Sequence, residues 1–319
     1  MVQEVYYMKV LATGGAGFIG RWVVKKLLAE GHQVWVLDNL DNGRESNLEE
    51  FRQNPCFKEF VKGDVVSEAT VARLFEEKFD LCFHMAAQIN VHESLENPKK
   101  SFEVNVQGTY NILEAARRQG TKIILLGTCM VYDLADSRSK ISESHPVKPA
   151  SPYAGSKLAA ENLAESYCRG LGLPVVICRP FNTYGPFQKS NMEGGVVSIF
   201  IERHLKGEDL LIFGDGTQTR DLLYVEDCAD FLYRAAVTSG VEGETLNAGL
   251  GSDISIKDLA LKVCGDPGKI KSVPHHHPQS EVKKLVCDYS KAEKKLGWRP
   301  RTDLDAGIRL TREWIAKKP

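Results

Sequence analysis

Short apolar runs alternate with amphipathic helical patterns through the first 180 residues. The runs that predict strands lie at 9–12, 33–37, 57–61, 81–84, 122–126 and 174–178. Apolar residues at helical spacing predict helices over 17–30, 98–119 and 152–169, and a further helix capped by Ser67. Strands separated by helices predict an α/β protein, in which a parallel sheet is covered by helices on both faces.

The pattern changes after residue 180, where strands and helices become shorter and glycine becomes more frequent. We expect residues 1–180 to form the sheet-containing domain and 181–319 to form a smaller α/β lobe over the carboxyl edge of that sheet. Some segments of this second part are expected to return to the sheet.

Composition excludes several classes of protein. The 319 residues carry 41 Lys+Arg against 42 Asp+Glu, so a net charge of −1 gives no electrostatic reason to expect nucleic acid or a membrane surface as a partner. No stretch approaches the ~20 apolar residues of a membrane span. The eight cysteines contain no C-x-x-C pair, which predicts reduced thiols and a cytoplasmic location. The histidines at 275–277 cannot all face one ion, so no metal is predicted.

A glycine-rich turn lies between the first strand and the first helix. Gly14, Gly17 and Gly20 have the spacing G-x-x-G-x-x-G, and Phe18 and Ile19 lie within it. Glycine allows a tight turn and lets the backbone approach a pyrophosphate, which the helix N-terminus attracts. In this position the motif predicts a dinucleotide site on a Rossmann-type doubly wound sheet.

The end of the second strand predicts which dinucleotide binds. Asp38, followed by Asn39, can accept hydrogen bonds from ribose hydroxyls and repels a 2′-phosphate, which favours NAD over NADP. Arg44 lies nearby, but a site for a 2′-phosphate would usually lack this aspartate. Asp64 and Val65 follow the third strand, where an adenine contact and a simple turn are equally consistent with the sequence.

Tyr153 and Lys157 lie four positions apart in the sequence and therefore share one face of a predicted helix. We expect the ammonium group, together with a positive nicotinamide ring, to lower the pKa of the phenol so that it can serve as a base near neutral pH. Thr128 ends the fifth strand, at the carboxyl edge where ligands bind in such sheets. Its hydroxyl can bond the substrate alcohol that Tyr153 deprotonates.

Ordered motifs along nearly the whole chain carry a family resemblance. They include TGGAGFIG (13–20), HMAAQ (84–88), GTCMVY (127–132), SPYAGSK (151–157), RPFNTYGP (179–186) and FGDGTQTRDLLYVEDCA (213–229). The chain resembles the extended short-chain dehydrogenase/reductase family, in its nucleotide-sugar epimerase and dehydratase branch, and in particular enzymes like UDP-glucose 4-epimerase.

The resemblance implies roles for individual residues. Thr128, Tyr153 and Lys157 would form the catalytic triad. Further cofactor contacts are expected at Ala86, Ala87, Gln88, Asn105 and Pro180, and the substrate would meet Cys129, Met130, Asn182, Val196 and Arg220. Asn182 and Arg220 would hold the diphosphate, for which a guanidinium is a suitable forked donor. An ion pair with Asp221 is the alternative for this arginine.

The residues after Thr128 favour one reaction over others. Family dehydratases carry Asp-Glu there to move protons at C5 and C6, whereas this chain has Cys129 and Met130. A thioether transfers no proton. We therefore expect an NAD-dependent 4-epimerase, an isomerase of carbohydrate metabolism, with UDP-hexose as the favoured substrate. The alternatives are a 4,6-dehydratase that uses Glu143 or Asp133, a 4-keto-sugar reductase, and a non-catalytic NAD sensor, which the retained tyrosine and lysine disfavour.

The resemblance also implies a homodimer, formed through a four-helix bundle of the helices at 98–119 and 152–169. Apolar Val104, Tyr110, Ile112 and Leu113 cannot all face the sheet, which is compatible with a second buried face.

Overall fold

The computed structural model describes residues 7–133, 139–190, 195–274 and 283–317. The strands are β1 (Lys9–Thr13), β2 (Gln33–Asp38), β3 (Phe57–Lys62), β4 (Leu81–His84), β5 (Lys122–Leu126), β6 (Val175–Pro180), β7 (Asn182–Tyr184), β8 (Leu210–Phe213), β9 (Thr219–Tyr224), β10 (Thr245–Ala248), β11 (Asp253–Ser255) and β12 (Ile270–Val273). The α-helices are α1 (Phe18–Ala29), α2 (Glu68–Phe75), α3 (Val91–Glu96), α4 (Pro98–Phe102), α5 (Gly108–Gln119), α6 (Pro152–Leu171), α7 (Val196–Leu205), α8 (Val225–Val237), α9 (Ile256–Cys264), α10 (Ser290–Leu296) and α11 (Leu304–Ala316). The histidine triplet at 275–277 lies outside the described residues.

Seven parallel strands form the main sheet, in the order β10-β6-β5-β4-β1-β2-β3. The chain winds outward from β1 through β2 and β3, and then crosses to β4 on the other side. This reversal between β1 and β4 creates the crevice at the carboxyl edge where doubly wound sheets bind ligands. The predicted Rossmann-type α/β fold is confirmed.

Both faces of the sheet are buried because successive strand residues point to opposite sides. Val10 and Val34 pack into one apolar cluster with side chains of α1 and α8. Their neighbours Leu11 and Trp35 pack into a second cluster with α2, α5 and α6. The near-continuous apolar runs of these strands therefore reflect helices on both faces.

Most predicted elements of the first part are present, and the strands at 81–84 and 122–126 have the predicted bounds. Ser67 caps α2 by accepting a hydrogen bond from the Thr70 N–H. The predicted helix over 98–119 differs, because a π-helical turn at Glu103–Gln107 separates α4 from α5. The short α3 and the 3₁₀ turn at Glu45–Phe51 were not predicted, since each is too short to show a helical period.

The chain beyond residue 180 contributes to both parts of the molecule. β10 adds to the edge of the main sheet beside β6, with Asn247 opposite Arg179, and α8 packs against α1. The remaining elements form two small sheets, β11-β9-β7 and β12-β8, and a separate apolar core that includes residues of α7, α9 and α11. These elements lie next to the crevice of the main sheet, so they can complete a site there.

Candidate active site

A cavity of about 420 Å³ opens at the reversal point of the sheet. Twelve of the predicted cofactor residues line this cavity, and they come from the ends of four strands and the start of α1. They are Gly14, Gly17, Phe18, Ile19, Gly20, Asp38, Asn39, Asp64, Val65, Ala86, Ala87 and Gln88. The structure thus brings together, in one crevice, residues that lie up to 74 positions apart in the sequence (14 to 88).

The glycine-rich turn is shaped for a close backbone approach. Gly14 has φ +70°, and a Cβ there would lie 2.7 Å from the backbone nitrogen of Ala86. A Cβ at Gly20 would overlap the carbonyl oxygen of Gly14. Gly17 precedes α1, whose first turn has no side-chain cap and no acidic residue. N–H groups at the start of a helix whose first turn carries no acidic residue fit a pyrophosphate, so the residues present fit a dinucleotide.

Asp38 is buried at the end of β2 and held by two backbone groups. One carboxylate oxygen accepts a hydrogen bond from the Ala16 N–H at 3.0 Å, and the other accepts one from the Leu40 N–H at 2.8 Å. Burial raises the pKa of this carboxyl group. Because each carboxylate oxygen can accept more than one hydrogen bond, the fixed side chain retains acceptor capacity for ribose hydroxyls. The side-chain amide of Asn39 donates to Asp64 at 2.8 Å and links the ends of β2 and β3.

Two parts of the cavity wall were not among the predicted cofactor contacts. The first is the segment after Asn39, which contributes Asp41, Asn42, Gly43, Arg44, Ser46 and Asn47. The second comes from distant segments and includes Phe187, Lys189 and Trp314. The rings of Phe187 and Trp314 lie 4.7 Å apart, which brings α11 to the site. An aromatic residue in an amphipathic helix predicts only a core contact, so no local signal could have identified Trp314.

The three predicted catalytic residues lie together at the end of β5. Ser151 caps α6 by accepting a hydrogen bond from the Ala154 N–H, and Pro152 occupies the first turn. Tyr153, in this turn, hydrogen-bonds with Thr128. One turn later, Lys157 is only 5% exposed, and its Nζ donates to the carbonyl oxygen of Leu126 at 2.5 Å.

Burial dominates the electrostatics of these groups. It raises the pKa of Tyr153 to about 12, although the hydrogen bond with Thr128 acts in the opposite direction. It lowers the pKa of Lys157 to about 8, against the carboxylate of Glu161, which raises it. The expectation that the ammonium would lower the pKa of the phenol is therefore wrong for these side chains by themselves. Desolvation of the phenolate is the larger effect, and Lys157 donates to a backbone carbonyl instead.

Asn105, Tyr153, Lys157 and Pro180 are not among the residues that line the cavity. Asn105 lies in the π-helical turn, where its Oδ1 accepts from the Gln88 N–H at 2.8 Å. Its Nδ2 donates to the Gln88 carbonyl at 3.1 Å and to Ser156 Oγ at 2.9 Å. The asparagine thus fastens the loop after β4 to the helix that carries Tyr153 and Lys157. The local widening of the π turn is a feature often found at functional sites.

Cys129 and Met130 form a 3₁₀ turn directly after Thr128, whose Oγ1 accepts from the Met130 N–H at 3.2 Å. Burial raises the pKa of the Cys129 thiol to about 12, so it holds its proton at neutral pH. The charges of Arg220 and Asp221 also act on this thiol, which places it between Thr128 and the start of β9. Neither side chain of the turn is therefore suited to move a proton.

The remaining predicted substrate residues come from the second part of the chain. Asn182, in β7, has a buried Oδ1 without a hydrogen-bond partner, which suits a donor group of a ligand. Arg220 lies in β9 and donates to the Thr219 carbonyl at 2.8 Å. The neighbouring Asp221 accepts three backbone N–H groups, at 2.6 to 2.9 Å, so it is not reserved for an ion pair with this arginine. Val196 begins α7.

Metal-ligand clusters and membrane-spanning helices are both absent from the described parts of the chain. Within them, no three side chains of His, Cys, Asp or Glu cluster in a way that would hold a metal ion. In the same residues, every helix is too short or too polar to cross a membrane.

Comparison with known proteins identifies the family. Residues 10–249 match the NAD dependent epimerase/dehydratase family. The chain belongs to this family. Among relatives, a UDP-glucose 4-epimerase from Mycolicibacterium smegmatis is 38% identical over 314 residues, which cover 98% of this chain and 99% of that protein.

Solved structures of similar proteins agree over nearly the whole chain. The X-ray structure of Pal from Bacillus thuringiensis has 52% identity and a TM-score of 0.95, with 97% of this chain and 99% of that chain covered. UDP-glucose 4-epimerase from Thermus thermophilus, solved in complex with NAD, has 35% identity and a TM-score of 0.89, again with 97% of this chain and 99% of that chain covered. The predicted family, its NAD-dependent enzyme class and the cofactor NAD are confirmed.

The buried carboxylate of Asp38 leads to a prediction about cofactor choice. In Asp38→Asn, the side chain keeps its size but loses the charge that repels a 2′-phosphate. We expect NAD to bind about tenfold more weakly, a change of ~1.4 kcal/mol, and the preference for NAD over NADP to fall. Calorimetric titration of the cofactor-free protein with each dinucleotide measures both effects. Asp41→Asn, which removes a charge from the same loop, is the matched control, and an unchanged preference in Asp38→Asn would contradict the assignment.

Proposed function

We propose that this protein is an NAD-dependent nucleotide-sugar 4-epimerase, with a UDP-hexose as its substrate. The observation that carries the proposal is the hydrogen-bonded Thr128 and Tyr153, with buried Lys157, beside a dinucleotide-shaped cavity and next to a turn that lacks any group able to move a proton at neutral pH. Such a site supports oxidation and reduction of an alcohol but provides no further acid or base.

NAD, when bound, would supply the acceptor and donor of a hydride, and its positive ring would lower the pKa of the Tyr153 phenol. Tyr153 then takes the proton of the C4 hydroxyl, while Thr128 Oγ1 hydrogen-bonds the same oxygen and orients it. Lys157 is buried one helical turn after Tyr153, and its ammonium, which donates to the Leu126 carbonyl, adds a positive charge to the proposed site. After the 4-keto sugar has turned to present its other face, Tyr153 returns the proton and the C4 epimer leaves.

The structure disfavours the residues that a dehydratase would need. Glu143 Oε1 accepts a hydrogen bond from the Asn247 N–H at 2.7 Å, at the edge of the main sheet. Asp133 faces Lys148 at 3.9 Å in a partly exposed pair. Both carboxylates that were considered as replacements for the missing Asp-Glu therefore have other partners, which disfavours them as the acid and the base of a 4,6-dehydration.

The decisive experiment offers the purified protein separate UDP-, dTDP-, GDP- and CDP-sugars without added cofactor and follows the products by ¹H NMR. We expect conversion of a UDP-hexose to its C4 epimer, with no net change in reduced cofactor. A 4-keto-6-deoxy product would instead identify a dehydratase. Stoichiometric consumption of added NADH or NADPH with a 4-keto sugar would identify a reductase, and absence of any turnover would favour an NAD sensor.

Removal of the phenol oxygen tests the catalytic assignment. We expect Tyr153→Phe to lower kcat by about 10²- to 10⁴-fold, the usual contribution of a positioned acid or base, with a smaller change in KM. Tyr167→Phe is the matched control, since Tyr167 lies on the same helix but its hydroxyl bonds Glu114 at 2.8 Å. Coupled measurement of epimer formation gives both constants. Equal activity of the two variants would contradict the assignment.

We also propose that the protein is a homodimer and works in the cytoplasm. Ile112 and Leu113 are buried against the sheet, whereas Tyr110 and Phe102 face away from it, with 47% and 58% of their surface exposed. These apolar residues lie on the predicted bundle helices, so a second copy would cover them. All eight cysteines are free thiols, which supports a reducing compartment.

A charge on this face should separate the subunits. We expect Tyr110→Glu to be a monomer at micromolar concentration, because pairing of two copies would bury the new carboxylate without a partner. Light scattering coupled to size-exclusion chromatography measures the mass, for which a monomer is 35.5 kDa. Leu205→Glu, which changes an exposed apolar residue of α7, is the control. A wild-type protein that elutes as a monomer would refute the dimer.

A further inference from the structure

A buried ion pair lies behind the proposed catalytic residues. Glu161, in α6, and Arg179, in β6, have side chains that are only 2% and 9% exposed. Glu161 Oε2 accepts two hydrogen bonds, one from Arg179 Nη2 at 2.7 Å and one from Nε at 3.0 Å. Burying two charges is costly, and an apolar pair of similar size would often serve stability as well. Stability alone is therefore a weak explanation for this pair.

The second carboxylate oxygen of Glu161 faces the backbone between the end of β5 and Thr128. Oε1 is buried, and the backbone of Thr128 lowers the pKa of this carboxyl group against the effect of burial. A Cβ at Gly127 would overlap this oxygen, so the carboxylate lies directly against the backbone at the end of β5. Gly127 is therefore required here for a close approach rather than for its backbone dihedral angles.

Lys157 reaches the same segment of backbone from one helical turn earlier. Its Nζ donates to Leu126, the residue that precedes Gly127. Lys157 and Glu161 thus contact consecutive residues of the chain, immediately before Thr128, from one face of α6. The carboxylate also acts on the ammonium electrostatically, since it raises the pKa of Lys157 against the effect of burial.

Arg179 connects this arrangement to the rest of the sheet. Its guanidinium lies 4.8 Å from the centre of the Tyr132 ring, and the hydroxyl of Tyr132 donates to Asn247 Oδ1 at 2.8 Å. Asn247 belongs to β10, beside β6. The carboxylate of Glu161 is therefore held in one orientation by a polar chain that includes residues of β6 and β10 and Tyr132, which follows the turn after Thr128.

We propose that Glu161, oriented by Arg179, is a positioning residue that keeps the Lys157 ammonium charged and fixes the backbone carrying Thr128. This inference rests on the proposed function, because it assigns the pair a role in the alcohol oxidation at Tyr153. Glu161 touches no reacting atom, and it acts through its neighbours.

The direction in which the pKa of Lys157 changes on loss of the Glu161 charge follows from the groups that surround these two residues. Tyr153 shares α6 with them, Cys129 follows β5, His84 lies in β4, and Arg179 lies in β6. Glu161 is the group that raises the pKa of Lys157. Loss of its charge moves this pKa from about 8 to a lower value, so that Lys157 loses its proton at a lower pH.

The first test measures kcat for the UDP-hexose against pH. For Glu161→Gln we expect the alkaline fall of kcat to move by about one pH unit to lower pH, which reduces kcat about fivefold at pH 8, with little change in KM. Glu161→Asp keeps the charge but shortens the side chain. We therefore expect kcat to fall at the same alkaline pH as in the wild type (the alkaline limb of the profile), with a lower maximal kcat. A purely structural pair would lower the amount of folded enzyme without moving the limb.

The amide variant leaves Arg179 buried without a counter-charge and can fail to fold. The double variant Glu161→Gln/Arg179→Met removes both charges and avoids this cost. We expect it to fold, with the alkaline limb displaced in the same direction by a smaller amount. Glu114→Gln, which alters a glutamate that is hydrogen-bonded to Tyr167 of the same helix, is the control and should leave the alkaline fall of kcat in place. An unmoved limb in both Glu161 variants that lack the carboxylate would overturn the proposal.

A second readout does not depend on turnover. In cofactor-free protein labelled with ¹³C-lysine, the Lys157 methylene signal is the one missing from Lys157→Met, and its titration by NMR gives the pKa of the ammonium group directly. We expect a lower pKa in Glu161→Gln and in the double variant than in the wild type. Equal values would overturn the inference. If the wild type converts no nucleotide sugar, the proposed function fails while this titration still decides the role of Glu161.

Discussion

The parallel arrangement of the seven main strands is the constraint on which the rest of the site depends. Because all strands end at one edge, the glycine turn after β1, Asp38 after β2 and Asp64 after β3 line a single crevice, and Thr128 follows β5 at the same edge. The close contact of Gly14 with the backbone at Ala86 fixes the width of this crevice. A side chain at that glycine would push β1 and β4 apart at the point where the chain reverses direction across the sheet.

The buried active site disfavours both charged forms that the reaction uses. Desolvation raises the pKa of Tyr153 and lowers that of Lys157, so the phenolate is costly and the ammonium is only just retained near neutral pH. Deprotonation of the phenol therefore depends on positive charge that arrives with the cofactor. In the proposed reaction, the tyrosine would therefore stay protonated until a dinucleotide binds, while Glu161 would favour the charged form of the lysine.

Local sequence patterns were sufficient for the parts of the site that depend on short spacings. Each of these patterns is complete within eight residues of sequence: the glycines at 14, 17 and 20, the aspartate at the end of β2, and the Tyr153–Lys157 pair. Trp314 and Phe187 could not be assigned to the cavity, because only the packing of α11 beside the sheet brings them there. The Glu161–Arg179 pair was likewise hidden, since a charged residue on an amphipathic helix and another in a strand predict no contact by themselves. The π turn at Asn105 also has no recognisable period.

The turn after Thr128 shows how one family can separate its reactions without changing the redox chemistry. In this chain, Cys129 is buried and holds its proton, and Met130 has none to give, so a 4-keto intermediate would meet no base at C5. Two carboxylates of the following segment, Glu143 and Asp133, are engaged with Asn247 and Lys148. An intermediate that cannot lose a proton or a hydroxyl group can only be reduced again. In the proposed epimerase, the stereochemical outcome would then depend on how freely the sugar turns beside Tyr153, so the shape of that space, rather than further acid–base chemistry, would determine the product.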